Sequence, residues 1–177
     1  RLAEEAAASE PCPSISWGVV ADGALAHHGA VGEVNGEAPT ATTVYRIASM
    51  TKSFTAAAVL ALRDQGVWSL DDAVARHAPE LRVVKGPPGS PSLTLRHLLS
   101  MASGLATDDA WADRHLDISA DQIDAIYAGR PSFAHLPGTA YEYSNLGYAM
   151  IGRAIERATG CSAQRHITEM FLVPLGL

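Results

Sequence analysis

Residues 44–66 read VYRIASMTKSFTAAAVLALRDQG, a short β-favouring run followed by a long apolar one. The run at 44–47 predicts a short strand, and the almost wholly apolar residues 54–62 predict a helix buried on nearly all sides. Gly66 is placed to end this helix in the left-handed conformation. Lys52 breaks a local rule in the first turn, because the positive end of the helix dipole repels a cation. Residues that break such a rule tend to be functional.

Ser49 precedes Lys52 by about one helical turn, so a hydroxyl and an amine share one face. This pair suits nucleophilic catalysis without a histidine, in which a neutral amine takes the serine proton. Burial and the helix dipole both favour the neutral amine. The same dipole and the backbone N–H of Ser49 would form half of an oxyanion hole. S-x-x-K alone is a weak pattern, and its alternative is an exposed helix start with a solvated lysine.

The chain has 177 residues and a formal charge of −6, with 47% hydrophobic and 18% charged residues. These values predict one globular unit with a sizeable core, or two small subdomains. The 13 basic residues are scattered singly, which argues against nucleic acid as a partner. No stretch of about 18 apolar residues occurs, so no membrane span is predicted. The N-terminus shows no signal segment, so any export signal is expected to have been removed or never included.

The cysteines and histidines lack the spacing of metal ligands, and neither a metal nor another cofactor is predicted. Cys12 and Cys161 could form one disulfide bond or none. Five histidines are interpreted as ordinary helix or loop residues: His77, His97, His115, His135 and His166. His27 and His28 are adjacent on a predicted strand and point to opposite faces.

Two extended runs on either side of Asp22-Gly23 predict a β-hairpin, with strands at 14–20 and 25–34. From Ser69 onward the pattern predicts helices. One begins at the capping box Ser69-x-x-Asp72 and ends at Pro79, and another begins at the capping box Ser119-x-x-Gln122 and ends at Gly129. Others are predicted at 94–101, 146–159 and 163–172. Because a lone hairpin is marginal in water, we expect the sheet to be incomplete in this chain.

A second group of polar residues lies just before the helix at 146, in Tyr141-Glu142-Tyr143-Ser144-Asn145. Tyr143 and Asn145 share one side of an extended segment, so both could face one cleft. A tyrosine near a buried lysine can act as a general base, and an asparagine can hold a substrate amide. The alternative is that the tyrosines are core residues and that Ser144 or Asn145 caps the helix.

Five segments in order resemble the serine β-lactamase family of the class C type: RIASMTKSFTA, LDDAV, TLRHLLSMASGL, PGTAYEYSNLGY and PLGL. That family also contains D-alanyl-D-alanine carboxypeptidases and related esterases. The resemblance implies an α/β (α+β) fold of the transpeptidase type, with an antiparallel sheet flanked by helices and an all-helical subdomain. It divides the chain at 1–67, which holds part of the sheet and the nucleophile helix, 68–141, the helical subdomain, and 142–177, helices returning to the sheet.

The resemblance also implies a role for each site residue. Ser49 would be the nucleophile that becomes acylated, and Lys52 would accept or relay its proton. Tyr143 would be the general base in acylation or deacylation. Asn145 would contact both the substrate amide and Lys52.

Two departures from the family pattern stand out. Met101-Ala102 occupies the place of a His-Thr pair, which we interpret as structural variation. Relatives continue beyond P-L-G to a third motif, K-T-G or H-x-G, on a strand that supplies a second oxyanion donor and a group for the substrate carboxylate, whereas this sequence stops at Leu177.

The leading hypothesis is a serine hydrolase that acts through an acyl-enzyme on a β-lactam, a D-alanyl peptide or a small ester. One alternative is a penicillin- or peptide-binding sensor that does not turn over. Another is an inactive fragment that needs a complementary C-terminal segment. The expected partners are a small-molecule or peptide substrate and either such a C-terminal fragment or further copies of the chain in a homo-oligomer. The resemblance suggests a periplasmic or secreted protein.

Overall fold

The computed structural model describes residues 2–9, 12–107 and 117–177. These residues form two compact units, an N-terminal unit (Arg1–Ile47) and a helical unit (Ala48–Leu177). His115 lies outside the described residues, as does the rest of 108–116 within the predicted helical subdomain.

The N-terminal unit contains helix α1 (Leu2–Ser9) and strands β1 (Ser14–Ala21) and β2 (Ala24–Gly32). The strands pair antiparallel from Ser14 opposite Gly32 to Ala21 opposite Ala24. Asp22 and Gly23 both have positive φ, 51° and 76°, as a two-residue type I′ turn requires. The predicted hairpin is therefore confirmed, and with it the mixed fold containing an antiparallel sheet.

Two details of the strand prediction are wrong. β2 ends at Gly32, where φ is 79° and the chain leaves the extended conformation before Val34. Residues 43–47 form no strand, and Val44 is 91% exposed. A β-favouring run needs a neighbouring strand to pair with, and propensity alone does not supply one.

The helical unit contains seven α-helices within its described residues: α2 (Thr51–Asp64), α3 (Val74–His77), α4 (Leu95–Leu99), α5 (Ala120–Ala128), α6 (Asn145–Thr159), α7 (Ala163–Ile167) and α8 (Val173–Leu175). Tight 3₁₀ turns lie at Ala48–Met50 and Pro79–Val83. A π turn at Thr168–Leu172 joins α7 to α8. Helical structure therefore continues past residue 172 to Leu175 and is closed by Gly176, which has φ 73°, so the predicted end at 172 is wrong.

Helix α6 lies at the centre of this unit and packs against α2, α3, α4 and α7. Its buried side chains include Met150, Ile151 and Ile155, all with no exposed surface. Helix α2 buries Ala58, Val59 and Leu62 against this core. Leu60 on α2 is 37% exposed, so the prediction that this helix is buried on nearly all sides is wrong.

Only one of the two predicted capping boxes starts a helix. Ser119 and Gln122 form the expected reciprocal box at the start of α5, which ends at Gly129. Ser69 and Asp72 also bond to each other, but they close a turn and no helix begins there. The backbone at Ala73 instead pairs with Thr94, which prevents a helix from running through this segment.

Arg153 is 9% exposed, and its guanidinium binds Asp124 at 2.6 Å and Glu156 at 2.9 Å, which ties α5 to α6. Burial alone would lower the pKa of Arg153, but these carboxylates outweigh it and raise the pKa. The buried cation is therefore paired, as an interior charge must be. Cys12 and Cys161 are both free thiols. No helix in the described part of the chain is long and apolar enough to cross a membrane.

Candidate active site

Ser49 lies in the 3₁₀ turn that leads directly into α2. The preceding residue, Ala48, has φ 44°, a left-handed conformation that costs a residue other than glycine about 1–2 kcal/mol. Strained residues of this kind cluster at functional sites. The turn places Ser49 at the positive end of a 14-residue helix.

Four side chains meet at this helix start, and they are the four that the sequence nominated. Lys52 Nζ donates to Ser49 Oγ at 3.1 Å, to Tyr143 Oη at 2.7 Å and to Asn145 Oδ1 at 2.7 Å. Ser49 Oγ lies 2.6 Å from Tyr143 Oη. Tyr143 Oη also donates to Asn145 Oδ1 at 3.2 Å. Residues about 90 positions apart in the chain thus form one hydrogen-bonded cluster.

An ammonium on Lys52 beside a phenol on Tyr143 satisfies all of these hydrogen bonds, including the one from Tyr143 to Asn145, but contains no base. Two forms with one proton fewer have the same net charge as each other. An ammonium on Lys52 has three hydrogens for its three oxygen neighbours, with Tyr143 as a phenolate. A neutral amine has two hydrogens and a lone pair that accepts from the phenol of Tyr143. The two forms differ only in the position of one proton along the 2.7 Å contact between Nζ and Oη. Either form leaves an acceptor for the Ser49 proton.

The cluster is more exposed than the sequence suggested. Ser49 is exposed, while Lys52 and Tyr143 are half-buried, so the predicted interior position of the amine is wrong. The amine nevertheless points to the three oxygens and not outward to solvent. No carboxylate pairs with Lys52 among the described residues; the rings of Tyr143 and Tyr148 lie 4.8 Å and 5.5 Å from Nζ.

The loop that carries Tyr143 is held on both sides by Met101. The backbone N–H of Glu142 donates to the Met101 carbonyl at 2.7 Å. The N–H of Ser144 donates to Met101 Sδ at 3.5 Å, while the Ser144 hydroxyl caps α6 by accepting from Gly147 N. Tyr143 therefore has a fixed residue before it and after it.

Met101 takes this position because of the way in which α4 ends. Its φ is 57°, and its N–H donates to the Leu98 carbonyl while that of Ala102 donates to the His97 carbonyl. These bonds form a Schellman motif, whose left-handed residue is usually glycine. No pattern in the sequence predicted this role, because methionine rarely adopts that conformation.

The Glu142 carboxylate forms a second attachment of the same loop. It accepts from the backbone N–H of Thr107 at 3.2 Å and from the Thr107 hydroxyl, and it lies 3.2 Å from His135 Nε2. The Thr107 hydrogen bonds, followed by the nearby His135, lower the pKa of Glu142. Sequence reasoning missed Glu142, whose partners are 7 and 35 residues distant in the chain.

Tyr148 lies on the first turn of α6 and was not nominated from the sequence. Its Oη donates to the Leu99 carbonyl at 3.1 Å. The pKa of Tyr148 is raised, mainly by burial of the phenol. The nearby Tyr141 and Tyr143 raise it further. The signal that could have found it is its position three residues after Asn145, on the same face of the helix.

Two histidines of the helical unit, His77 and His97, make structural contacts. His77 Nε2 lies 2.9 Å from Asp72 Oδ2, and His97 closes the capping box at the start of α4. Across residues 2–9, 12–107 and 117–177, no three His, Cys, Asp or Glu side chains are grouped as metal ligands would be.

Comparison with known protein families assigns the whole chain to one family. Residues 1–177 match the Beta-lactamase family. Protein flp of Staphylococcus aureus (strain MW2) is 35% identical over 138 residues, which cover 76% of this chain and 27% of that protein. The chain thus spans about a quarter of the length of this curated relative.

Two solved structures share the fold at somewhat lower identity. The octameric penicillin-binding protein homologue from Pyrococcus abyssi has a TM-score of 0.81 and 29% identity, over 99% of this chain and 42% of that one. The D-amino acid amidase from Ochrobactrum anthropi SV3 has a TM-score of 0.78 and 26% identity, over 99% and 52% of the two chains. The predicted resemblance is confirmed, and the chain belongs to the Beta-lactamase family.

Proposed function

We propose that the protein is a serine hydrolase in which Ser49 becomes acylated. The observation that carries this proposal is the contact of Ser49 Oγ with Tyr143 Oη at 2.6 Å and with Lys52 Nζ at 3.1 Å. A serine hydroxyl becomes a nucleophile when a neighbouring base accepts its proton. The cluster offers that base together with a route for the proton.

In the acylation step, Ser49 Oγ attacks a carbonyl carbon as its O–H bond breaks. The proton passes to the pair formed by Lys52 and Tyr143, which then consists of an ammonium and a phenol. The C–N bond of an amide or the C–O bond of an ester then breaks, and the pair returns one proton to the leaving amine or alcohol. The N-terminal end of α2 stabilises the negative charge on the attacked oxygen.

Asn145 has a double role in this scheme. Its Oδ1 accepts from Lys52 and keeps the amine directed at Ser49 and Tyr143. This orientation turns the amide nitrogen to the other side, where we propose that it donates to a carbonyl of the substrate.

The proposed substrates are acyl compounds with an amide or ester bond, namely a β-lactam, a D-alanyl peptide or a small ester. Support comes from the family itself and from the names of two structural relatives, a penicillin-binding protein homologue and a D-amino acid amidase. The exposed position of Ser49 suits a substrate that arrives from solution. Self-association is also proposed, since one relative is octameric, and light scattering would test it.

Labelling with a fluorescent penicillin and a fluorophosphonate tests the proposal. We expect both probes to label the purified protein, Ser49→Ala to abolish labelling, and Ser53→Ala, on the exposed first turn of the same helix, to retain it. Lys52→Met should slow labelling about 100- to 10,000-fold. Lys85→Met is the matched control and should not change the rate. Retained labelling in Ser49→Ala would falsify the assignment.

A second candidate is a sensor that is acylated and not turned over. The described cluster accounts for acylation, while hydrolysis also needs a positioned water. Burst kinetics separate the two functions: a hydrolase continues to release product after one equivalent, and a sensor stops. The mass of the intact protein after labelling would also show whether a second polypeptide accompanies this one.

A further inference from the structure

The Lys52 amine is surrounded by oxygens and aromatic rings, with no carboxylate partner among the described residues. A cation within about 6 Å of a ring centroid is attracted to the negative face of the ring. The rings of Tyr143 and Tyr148 both meet this condition, at 4.8 Å and 5.5 Å. The two rings therefore add a weak electrostatic stabilisation to a positive charge on Nζ.

These two tyrosines differ in what their hydroxyl groups do. The Tyr143 hydroxyl contacts Ser49, Lys52 and Asn145, all members of the reacting cluster. The Tyr148 hydroxyl points away from the cluster and donates to the Leu99 carbonyl at 3.1 Å. The ring of Tyr148, and not its hydroxyl, therefore interacts with Lys52.

The Leu99 carbonyl is a suitable anchor, because Leu99 is the last residue of α4. The last carbonyls of a helix have no partner within the helix and accept from other groups. The same end of α4 leads to Met101, which holds the loop of Tyr143. One helix end thus fixes both aromatic rings that flank Lys52.

A raised pKa suits this anchoring role, since it keeps the Tyr148 phenol protonated and able to donate. It also argues against Tyr148 as a second base. The bond to Leu99 and the half-buried ring restrict the side chain to one orientation.

We propose that Tyr148 is a positioning residue of the acylation reaction, which holds Lys52 in place and stabilises its charged form through the face of its ring. The proposal rests on the proposed function of Ser49. When the Ser49 O–H bond breaks, the transferred proton leaves Lys52 as an ammonium beside the phenol of Tyr143. The Tyr148 ring stabilises that ammonium without taking any part in the proton transfer.

The test compares rings of the same shape and different charge distribution. Tyr148→Phe keeps the ring and should acylate within about threefold of the parent rate. A trifluorinated phenylalanine at the same position keeps the shape but loses the negative ring face, and should acylate about 3- to 30-fold more slowly than Tyr148→Phe. Equal rates for these two variants would overturn the proposal. Because both rings fill the same space, a folding defect does not separate them.

Tyr127→Phe is the control for loss of a phenol hydroxyl. The Tyr127 side chain is fully buried, and its Oη has no hydrogen-bond partner among the residues that the structure describes. Its removal should change neither the acylation rate nor the signal of Lys52 described below. A slower rate in this control as large as that of the trifluorinated variant would assign the effect to general packing and overturn the proposal.

A spectroscopic measurement separates failure of this proposal from failure of the proposed function. The chain has two lysines, so selective lysine labelling gives NMR signals for Lys52 and Lys85 alone. Ring shielding should displace the Lys52 side-chain signals, and Tyr148→Met should shift them towards those of Lys85. If the probes do not acylate the parent protein, the hydrolase proposal fails while this shift still supports the contact. Lys52 signals that do not move in Tyr148→Met overturn the positioning role, whatever the activity.

Discussion

The hairpin and the helical unit place their apolar residues in opposite ways. On β1 and β2, no large apolar side chain is fully buried, and four are exposed: Trp17, Val19, Val20 and Leu25. In the helical unit, the corresponding residues of α4 and α6 are buried in one cluster. The hairpin is therefore specified by its turn and its ladder, whereas the helical unit is specified by its core. All four residues of the proposed active site belong to the unit with the core.

The largest effect on stability should come from the core of the helical unit. Leu98 on α4 is 1% exposed and belongs to the main cluster. Leu98→Ala removes buried methyl groups and leaves a cavity, so we expect a loss of about 2–5 kcal/mol in the free energy of unfolding. Urea unfolding followed by circular dichroism at the helix band measures this loss.

Val20→Thr is the matched change on the hairpin. Val20 is 71% exposed, and threonine keeps the β-branch that strands favour. We expect a change within about 0.5 kcal/mol. If Val20→Thr cost as much as Leu98→Ala, the hairpin would have a core of its own and the comparison would fail.

Local signals in the sequence predicted those parts of the fold that neighbouring residues decide. Asp22-Gly23 predicted the turn because both positions need positive φ, and Gly66 predicted a helix end for the same reason. Ser119 predicted the start of α5, because its side chain and that of Gln122 satisfy each other's backbone groups.

Features that depend on residues distant in the chain were predicted wrongly or not at all. The capping pattern at Ser69 predicted a helix, but Val74 N donates to the Leu93 carbonyl and the segment bends towards residues 93–95. The contacts of Met101, Glu142 and Tyr148 at the site were not predicted, for the same reason. Each acts through a contact at least 35 residues away, and no spacing rule reports such a contact.

Paired glycine substitutions sharpen the comparison at the level of the backbone. Gly23 has φ 76° with no atom near the position of an added Cβ, so Gly23→Ala should cost about 1–2 kcal/mol through conformation alone. Gly152 lies inside α6 with room for a methyl group, so Gly152→Ala should stabilise by up to about 1 kcal/mol.

Amide hydrogen exchange reads the two regions separately. Gly23→Ala should speed exchange in β1 and β2, and Gly152→Ala should slow it in α6. Gly23→Asn should restore most of the protection, because asparagine tolerates left-handed conformations. Changes of the same sign in both variants would contradict the proposed difference between turn-specified and core-specified regions.

The smallest effect should be the pH dependence contributed by Glu142, in the loop that joins the core to the site. The pKa of this carboxyl is lowered from its ordinary value of 4.5, so the folded state favours the charged form. Its stabilising contribution is fully present above pH 4.5 and is lost as the pH falls through the lowered pKa.

Glu142→Gln keeps an oxygen for the two Thr107 bonds but carries no charge. The parent protein should therefore be more stable than Glu142→Gln at pH 7, and the difference should shrink in acid. Urea midpoints of both proteins at neutral and acidic pH measure it. A difference that stays constant with pH would mean that the shape of the side chain, and not its charge, holds the Tyr143 loop.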